Sequence, residues 1–196
     1  MNYIVVDVET PNQWNDSICA IGVQTIDDLE VTGEWYSLVN PSARFAPFNI
    51  SIHGIYPEMV ESAPSFPEIW ERVRELSEGR VFVAHNAPFD VNVLSKCIAR
   101  YNLPPFVFTF LDTVRLGRYF CRDWPRRCGA FKLQNMSERL GVRLEHHHNA
   151  MEDTRACGSI LLKLMELYHF NPEDFLSVHC TQESRVYRPE RFGTEQ

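Results

Sequence analysis

Apolar and β-branched residues run almost unbroken over residues 3–9, and residues 18–24 and 34–39 carry two further runs. Short runs of this kind, bounded by turn-forming residues, predict buried strands. Asp27 and Asp28 offer turn chemistry between the second and third runs, and the close spacing predicts an antiparallel meander. Residues 41–64 carry four prolines and read as an irregular loop.

Beyond residue 64 the period lengthens. Ile69, Trp70, Val73 and Leu76 recur at helical spacing. Ser65 stands where a cap is needed, with Pro67 in the first turn and Gly79 past the end. A strand is predicted over 80–85 and a helix over about 89–101, with Val91, Leu94 and Ile98 inward. Another strand follows over 106–112, then two shorter helices over about 112–120 and 132–140, the second stopped by Gly141. The last long helix covers about 150–168, with a stripe of Cys157, Ile160, Leu161, Leu164 and Tyr168. Asn149 is its expected N-cap, and Glu152 is spaced to complete a capping box. Three strands followed by alternating strands and helices predict a mixed α/β sheet flanked by helices. Residues 171–196 are polar apart from Phe175-Leu176. They read as a C-terminal tail, a strap or a linker stub, after a domain of residues 1–170.

The chain has 196 residues, enough for one domain with a sizeable core. No window approaches the roughly 18 uninterrupted apolar residues of a membrane span, so no membrane partner is expected. The first residues show no basic region and no cleavage site, so no signal peptide is expected. Six cysteines form no CxxC pair and suggest no disulfide framework, which favours reduced thiols and a cytoplasmic location.

The net charge of −7 argues against a nucleic-acid binder until it is divided along the chain. Residues 1–95 carry net −10, residues 96–143 net +7 and residues 144–196 net −4. The basic segment holds Arg115, Arg118, Arg122, Arg126, Arg127 and Lys132 around Trp124. Guanidiniums beside an aromatic suit phosphate contacts and base stacking on a single strand. A solvated surface loop with a half-buried tryptophan is the alternative reading.

Candidate chemistry starts with Asp7 and Glu9. Residues i and i+2 of a strand share a face, so both carboxylates project together from an apolar strand. They need a sheet end or a neutralising cation. Asp90 falls in the first turn of a helix that follows a strand, and Asp153 in the first turn of the last helix, with His148 just before it. Dipole complementation alone would account for Asp90, and a polar loop for the histidines. The run His146-His147-His148 invites a zinc reading, but neither a His/Cys pairing nor H-x3-H is present, and Cys121 and Cys128 fit no familiar knuckle. Four carboxylates at element ends with one histidine suit two hard cations and a substrate phosphate.

The motifs D-V-E-T at 7–10, H-N-A-P-F-D at 85–90 and H-N-A-M-E-D at 148–153 occur in this order. I-H-G-I at 52–55, M-V-E-S-A-P-S-F at 59–66 and F-K-L-Q-N-M-S-E-R-L-G-V at 131–142 accompany them. Across residues 3–168 the chain resembles the DEDDh-type 3′→5′ exonucleases, the family of the proofreading epsilon subunit of bacterial DNA polymerase III. The resemblance implies a ribonuclease H-like fold with a mixed five-stranded sheet and the site across its centre. It also implies that Asp7, Glu9 and Asp153 hold one Mg2+ and that Asp90 holds a second, with Asp7 bridging and Mn2+ able to substitute. His148 would be the general base, since only position 148 has the family's four-residue gap to the aspartate. Thr10, His53, Asn86 and Phe89 would bind substrate. Thr10 and His53 match positions that touch the terminal nucleotide, and Phe89 either wedges its base or sits in the core. Where many members read D-x-E-T-T-G, this chain reads D-V-E-T-P-N, which alters the loop after Glu9 and no expected ligand.

The expected activity is removal of nucleoside 5′-monophosphates from the 3′ end of DNA, in proofreading or repair. The expected partners are a single-stranded 3′ end and, in that setting, a DNA polymerase. The same chemistry on RNA is one alternative. A catalytically silent module that binds nucleic acid or a polymerase is the other, and the presence of all five site residues counts against it.

Overall fold

A computed structural model describes residues 1–124, 129–145 and 147–181. Arg126, Arg127, Cys128, His146 and residues 182–196, on which some of the expectations above fall, lie outside them.

The sheet is built around β1 (Asn2–Glu9). It pairs antiparallel with β2 (Ala20–Asp27) and parallel with β4 (Arg80–Ala84). β3 (Glu30–Leu38) extends the meander outward from β2. On the other side β5 (Val107–Asp112) runs parallel to β4, and β6 (Ser177–Cys180) pairs antiparallel with β5. The order is β3-β2-β1-β4-β5-β6. The mixed sheet agrees with the expected fold, but among the described residues it has six strands where five were expected. The sixth comes from the polar C-terminal stretch. Its residues are mostly exposed, so no apolar pattern marked them, and pairing with the edge of β5 makes them a strand.

The hairpin turn falls one residue later than expected, with Asp28 and Leu29 both at positive φ (52° and 66°). That geometry matches the right-handed twist of the paired strands. β3 therefore starts at Glu30, earlier than its apolar run suggested.

Residues 41–64 are not wholly irregular. They contain α1 (Pro47–His53) and α2 (Pro57–Val60), each with a proline at its start. Proline's fixed φ suits the first helical turn. α1 has no fully buried residue, so it left no stripe to read.

The remaining helices are α3 (Phe66–Leu76), α4 (Ala87–Arg100), α5 (Thr113–Phe120), α6 (Leu133–Leu140) and α7 (Ala150–Tyr168). The Glu68 carboxylate accepts bonds from the Ser65 amide and hydroxyl, 2.7 Å each, which closes the start of α3. Asn149 caps α7 as expected, accepting from the Met151 and Glu152 amides. Glu152 does not complete a capping box, because its carboxylate is taken by Arg155 at 2.7 Å.

Strand alternation sorts β1 into two cores. Ile4, Val6 and Val8 join Phe82, Phe108, Trp70 and Leu94 on the α3–α4 face. Tyr3 and Val5 join Leu111, Leu116, Ile160 and Leu161 on the α5–α7 face. Asp7 and Glu9 share the parity of Tyr3 and Val5 and continue their face beyond the end of the β1–β4 pairing. No helix among the described residues is long and apolar enough to cross a membrane.

Candidate active site

β1 outruns β4: the parallel ladder ends at Val5–Val83, and β1 continues to Glu9 beside β2 alone. The freed Val8 amide donates to the Asp90 carboxylate, which also accepts its own amide at the start of α4. Asp90 is thereby fixed against β1 between Asp7 and Glu9, with 2% of its surface exposed.

Asp153 arrives from the opposite face. It lies in the first turn of α7, and that turn rests on Gly22, the β2 residue opposite Asp7. One oxygen each from Asp7, Glu9 and Asp153 lies within 4.8 Å of the others. The structure thus brings together all four carboxylates singled out in the sequence.

Such crowding has an electrostatic cost. Burial pushes the Glu9 carboxyl up to about 8, and Asp153 and Asp90 push it the same way. Burial, and then Asp90, Glu9 and Asp153, hold Asp7 well above the ordinary range. Asp90 is raised chiefly by burial, against the two amides that favour its charge. Among the described residues, no lysine or arginine pairs with Asp7, Glu9 or Asp90. Hard oxygen donors converging without a protein cation are the donor set of a divalent-cation centre, so these residues fit a hard divalent metal.

The cluster opens into a cleft of about 870 Å3, also lined by His85, Asn86, Phe89, Arg118, Lys132, His147 and His148. Asn86 and Phe89 both line this cleft, Phe89 with 37% of its surface exposed rather than in the core. Asn86 has φ 69°, a left-handed conformation that asparagine tolerates. Its amide donates to Asp112 Oδ1, which also caps α5 through Val114. His85 is locked by bonds to the Thr113 hydroxyl (2.8 Å) and the Phe131 carbonyl (3.0 Å). Burial drives its pKa down to about 4, so it is a neutral strut joining β4 to the far wall.

Thr10 and His53 stand apart from the residues lining the cleft. They are bound to each other. The Ile55 amide donates to His53 Nδ1, so the proton resides on Nε2, which meets the Thr10 carbonyl at 3.2 Å. Asn49 Nδ2 donates to the same carbonyl at 2.9 Å. This pair stitches α1 to the end of β1. Trp124 is half-buried, stacks on Phe131 and lies under the Arg139 guanidinium.

His148 has φ 70°, and its amide donates to Asp153 Oδ2 at 3.1 Å. Burial, and then the charge of His147, lower its pKa. His147, to which the sequence assigned no role, lies with Nδ1 at 3.0 Å from both Asp153 oxygens. Gly22 and Asp112 were missed as well. A glycine inside a strand is a signal of close backbone approach, and an aspartate between a strand and a helix is a capping signal.

The family profile described as Exonuclease (RNase_T) matches residues 4–161. A PolC-type DNA polymerase III of Caldanaerobacter subterraneus subsp. tengcongensis is 33% identical over 166 residues, 84% of this chain and 12% of the polymerase. A 3′-5′ exonuclease DinG of Staphylococcus haemolyticus is 30% identical over 177 residues, 89% of this chain and 19% of that protein. The chain thus spans less than a fifth of the length of these curated relatives. Among solved structures, the nuclease domain of 3′hExo, a DEDDh family member bound to rAMP, aligns with TM-score 0.73 at 18% identity. The alignment covers 85% of this chain and 92% of that one, and at this identity it bears on the fold.

Proposed function

The chain belongs to the exonuclease family, and from that premise we propose that it hydrolyses DNA from the 3′ end, releasing nucleoside 5′-monophosphates. One observation carries this reading: Asp7, Glu9 and Asp153 converge at the wall of an open cleft with Asp90 buried behind them, and among the described residues no lysine or arginine pairs with Asp7, Glu9 or Asp90. Asp7, Glu9 and Asp153 would hold one Mg2+, and Asp90 together with Asp7 a second. Mn2+ fits the same oxygens. Two such ions would supply an acidified water and offset charge on the attacking and leaving oxygens.

The protein's own groups do the rest. His148, at the cleft and with its pKa lowered by burial and by His147, would take the proton of the attacking water. Phe89 and Asn86 receive the terminal nucleotide. Arg118 and Lys132 line the same cleft and offer cationic donors to the phosphates that follow. Thr10 and His53 brace the wall on the α1 side. Likeness to a stretch of a PolC-type polymerase supports a proofreading or repair setting beside a polymerase. Five described cysteines are free thiols, in keeping with a cytoplasmic location.

The test is hydrolysis of 5′-labelled single-stranded DNA and matching RNA. With Mg2+, the DNA label should pass through a ladder of products shortened from the 3′ end, and a chelator should stop it. Mn2+ should restore activity, and Ca2+, with its looser geometry, should not. Preferential loss of the RNA would reassign the substrate. Internal cuts, or full activity in excess chelator, would overturn the reading.

A further inference from the structure

Consecutive side chains of an extended loop point to opposite sides. At His147 and His148 they do not. The left-handed backbone at His148 (φ 70°) turns its ring back onto that of His147, with centroids 3.8 Å apart and planes at 22°. Both rings then face the first turn of α7. One ring nitrogen from each and one oxygen of Asp153 all lie within 4.8 Å of one another.

We propose that His147, His148 and Asp153 form a second cation site, selective for Zn2+, whose occupation switches the exonuclease off. Two imidazole nitrogens and one carboxylate oxygen, with one position left to water, match the three-ligand zinc set. Imidazole suits zinc, whereas Mg2+ strongly prefers oxygen. Zinc bonds of about 2.0–2.2 Å require the three atoms to draw closer than they stand now. Rotation of the histidine side chains supplies that movement, because the His147 side chain is 31% exposed and sits in a loop rather than in packed core.

Asp153 belongs to both clusters. An ion on the histidine side draws this carboxylate from Asp7 and Glu9, and it also occupies the lone pair of His148. This inhibitory consequence rests on the roles given above to Asp153 and His148, whereas the binding site does not.

The experiment therefore has two arms. In the first, Zn2+ uptake in excess Mg2+ is measured by equilibrium dialysis on the wild type, Asp7→Asn and His147→Gln. The site predicts one Zn2+ in the wild type and in Asp7→Asn, with affinity at least about tenfold weaker in His147→Gln, since loss of even an outer-shell partner costs that much. Equal affinity in wild type and His147→Gln, or loss of binding in Asp7→Asn alone, would place the zinc among the carboxylates and overturn the site. In the second arm, Zn2+ is titrated into the Mg2+-dependent DNA assay. The concentration for half inhibition should rise in His147→Gln by the same factor as the dissociation constant. An unshifted value would overturn the switch. A protein that bound zinc as described but cleaved no DNA would refute the exonuclease reading and leave the site standing.

Discussion

Gly22 stands directly across the β1–β2 ladder from Asp7, and the first turn of α7 lies on the bare backbone it leaves. A Cβ at Gly22 would collide with the Ala150 carbonyl and the Thr154 hydroxyl. The carbonyl is backbone and cannot swing away, so α7 itself would have to lift, carrying Asp153 with it. Gly22→Ala should destabilise the fold by about 1–3 kcal/mol, the usual range for overpacking. It should lower kcat by up to about 100-fold, because ångström-scale misplacement of a reacting group costs that much. Denaturant unfolding and steady-state kinetics measure the two effects. Wild-type turnover in a folded variant would show that Asp153 does not depend on this contact.

The crowded carboxylates link stability to pH. Glu9 is raised to about 8 in the fold, and Asp7 and Asp90 are also raised. Between the ordinary carboxylate pKa and about 8, the folded metal-free protein binds more protons than the unfolded chain. The sign of the linkage then makes stability fall as pH rises through that window. A divalent cation takes the place of those protons, so its stabilising effect should grow with pH. Melting temperatures in chelator and in Mg2+, compared near pH 6 and pH 8, test this. The expected result is a larger Mg2+-induced gain at the higher pH, and equal gains would contradict it.

Asp112 is a positioning residue. Its Oδ1 accepts the Asn86 and Val114 amides at 3.0 Å each. It thereby holds both the left-handed residue that opens α4 and the first turn of α5. Asp112→Ala should cost about 0.5–2 kcal/mol, as loss of a helix cap does. It should also raise KM, because Asn86 and Phe89 lose their fixed start. Asp112→Asn keeps an acceptor oxygen and should recover most of both effects. An asparagine variant as damaged as the alanine one would mean that the charge, and not the cap, is what matters.

What could be read from the sequence follows from which interactions are local. Asp7 and Glu9 were legible because strand parity alone puts them on one face, and Asp90 and Asp153 because each sits one turn into a helix with a visible start. Gly22 was not legible as a seat for α7, since what lies against it is set by a helix far along the chain. α1 and β6 bury too little to leave a period, and the opening residues of β3 are exposed in the same way. The exchange between His53 and Thr10 depends on where α1 docks, which four prolines in the loop concealed. The stacking of His147 on His148 follows from a single φ angle that no composition announces.

The two neighbouring histidines should separate cleanly in an activity assay. His148 is the proposed base, and removal of a positioned base typically costs about 10²–10⁴-fold in rate. His148→Ala should fall in that range while still binding DNA and Mg2+, because the role given to it is proton transfer and not ligation of the catalytic ions. Its pKa is lowered by burial and by His147, which favours the neutral form that a base requires. His147 is given no part in proton transfer or in holding the catalytic ions, so His147→Ala should turn over DNA in Mg2+ near the wild-type rate. Single-turnover kinetics in Mg2+, with DNA affinity measured separately, isolates the chemical step. If the large loss appeared in His147→Ala and not in His148→Ala, the base would be His147, whose Nδ1 already lies at 3.0 Å from Asp153. Equal losses in both, accompanied by loss of Mg2+ binding, would make the histidine pair part of the catalytic metal centre and withdraw the base assignment.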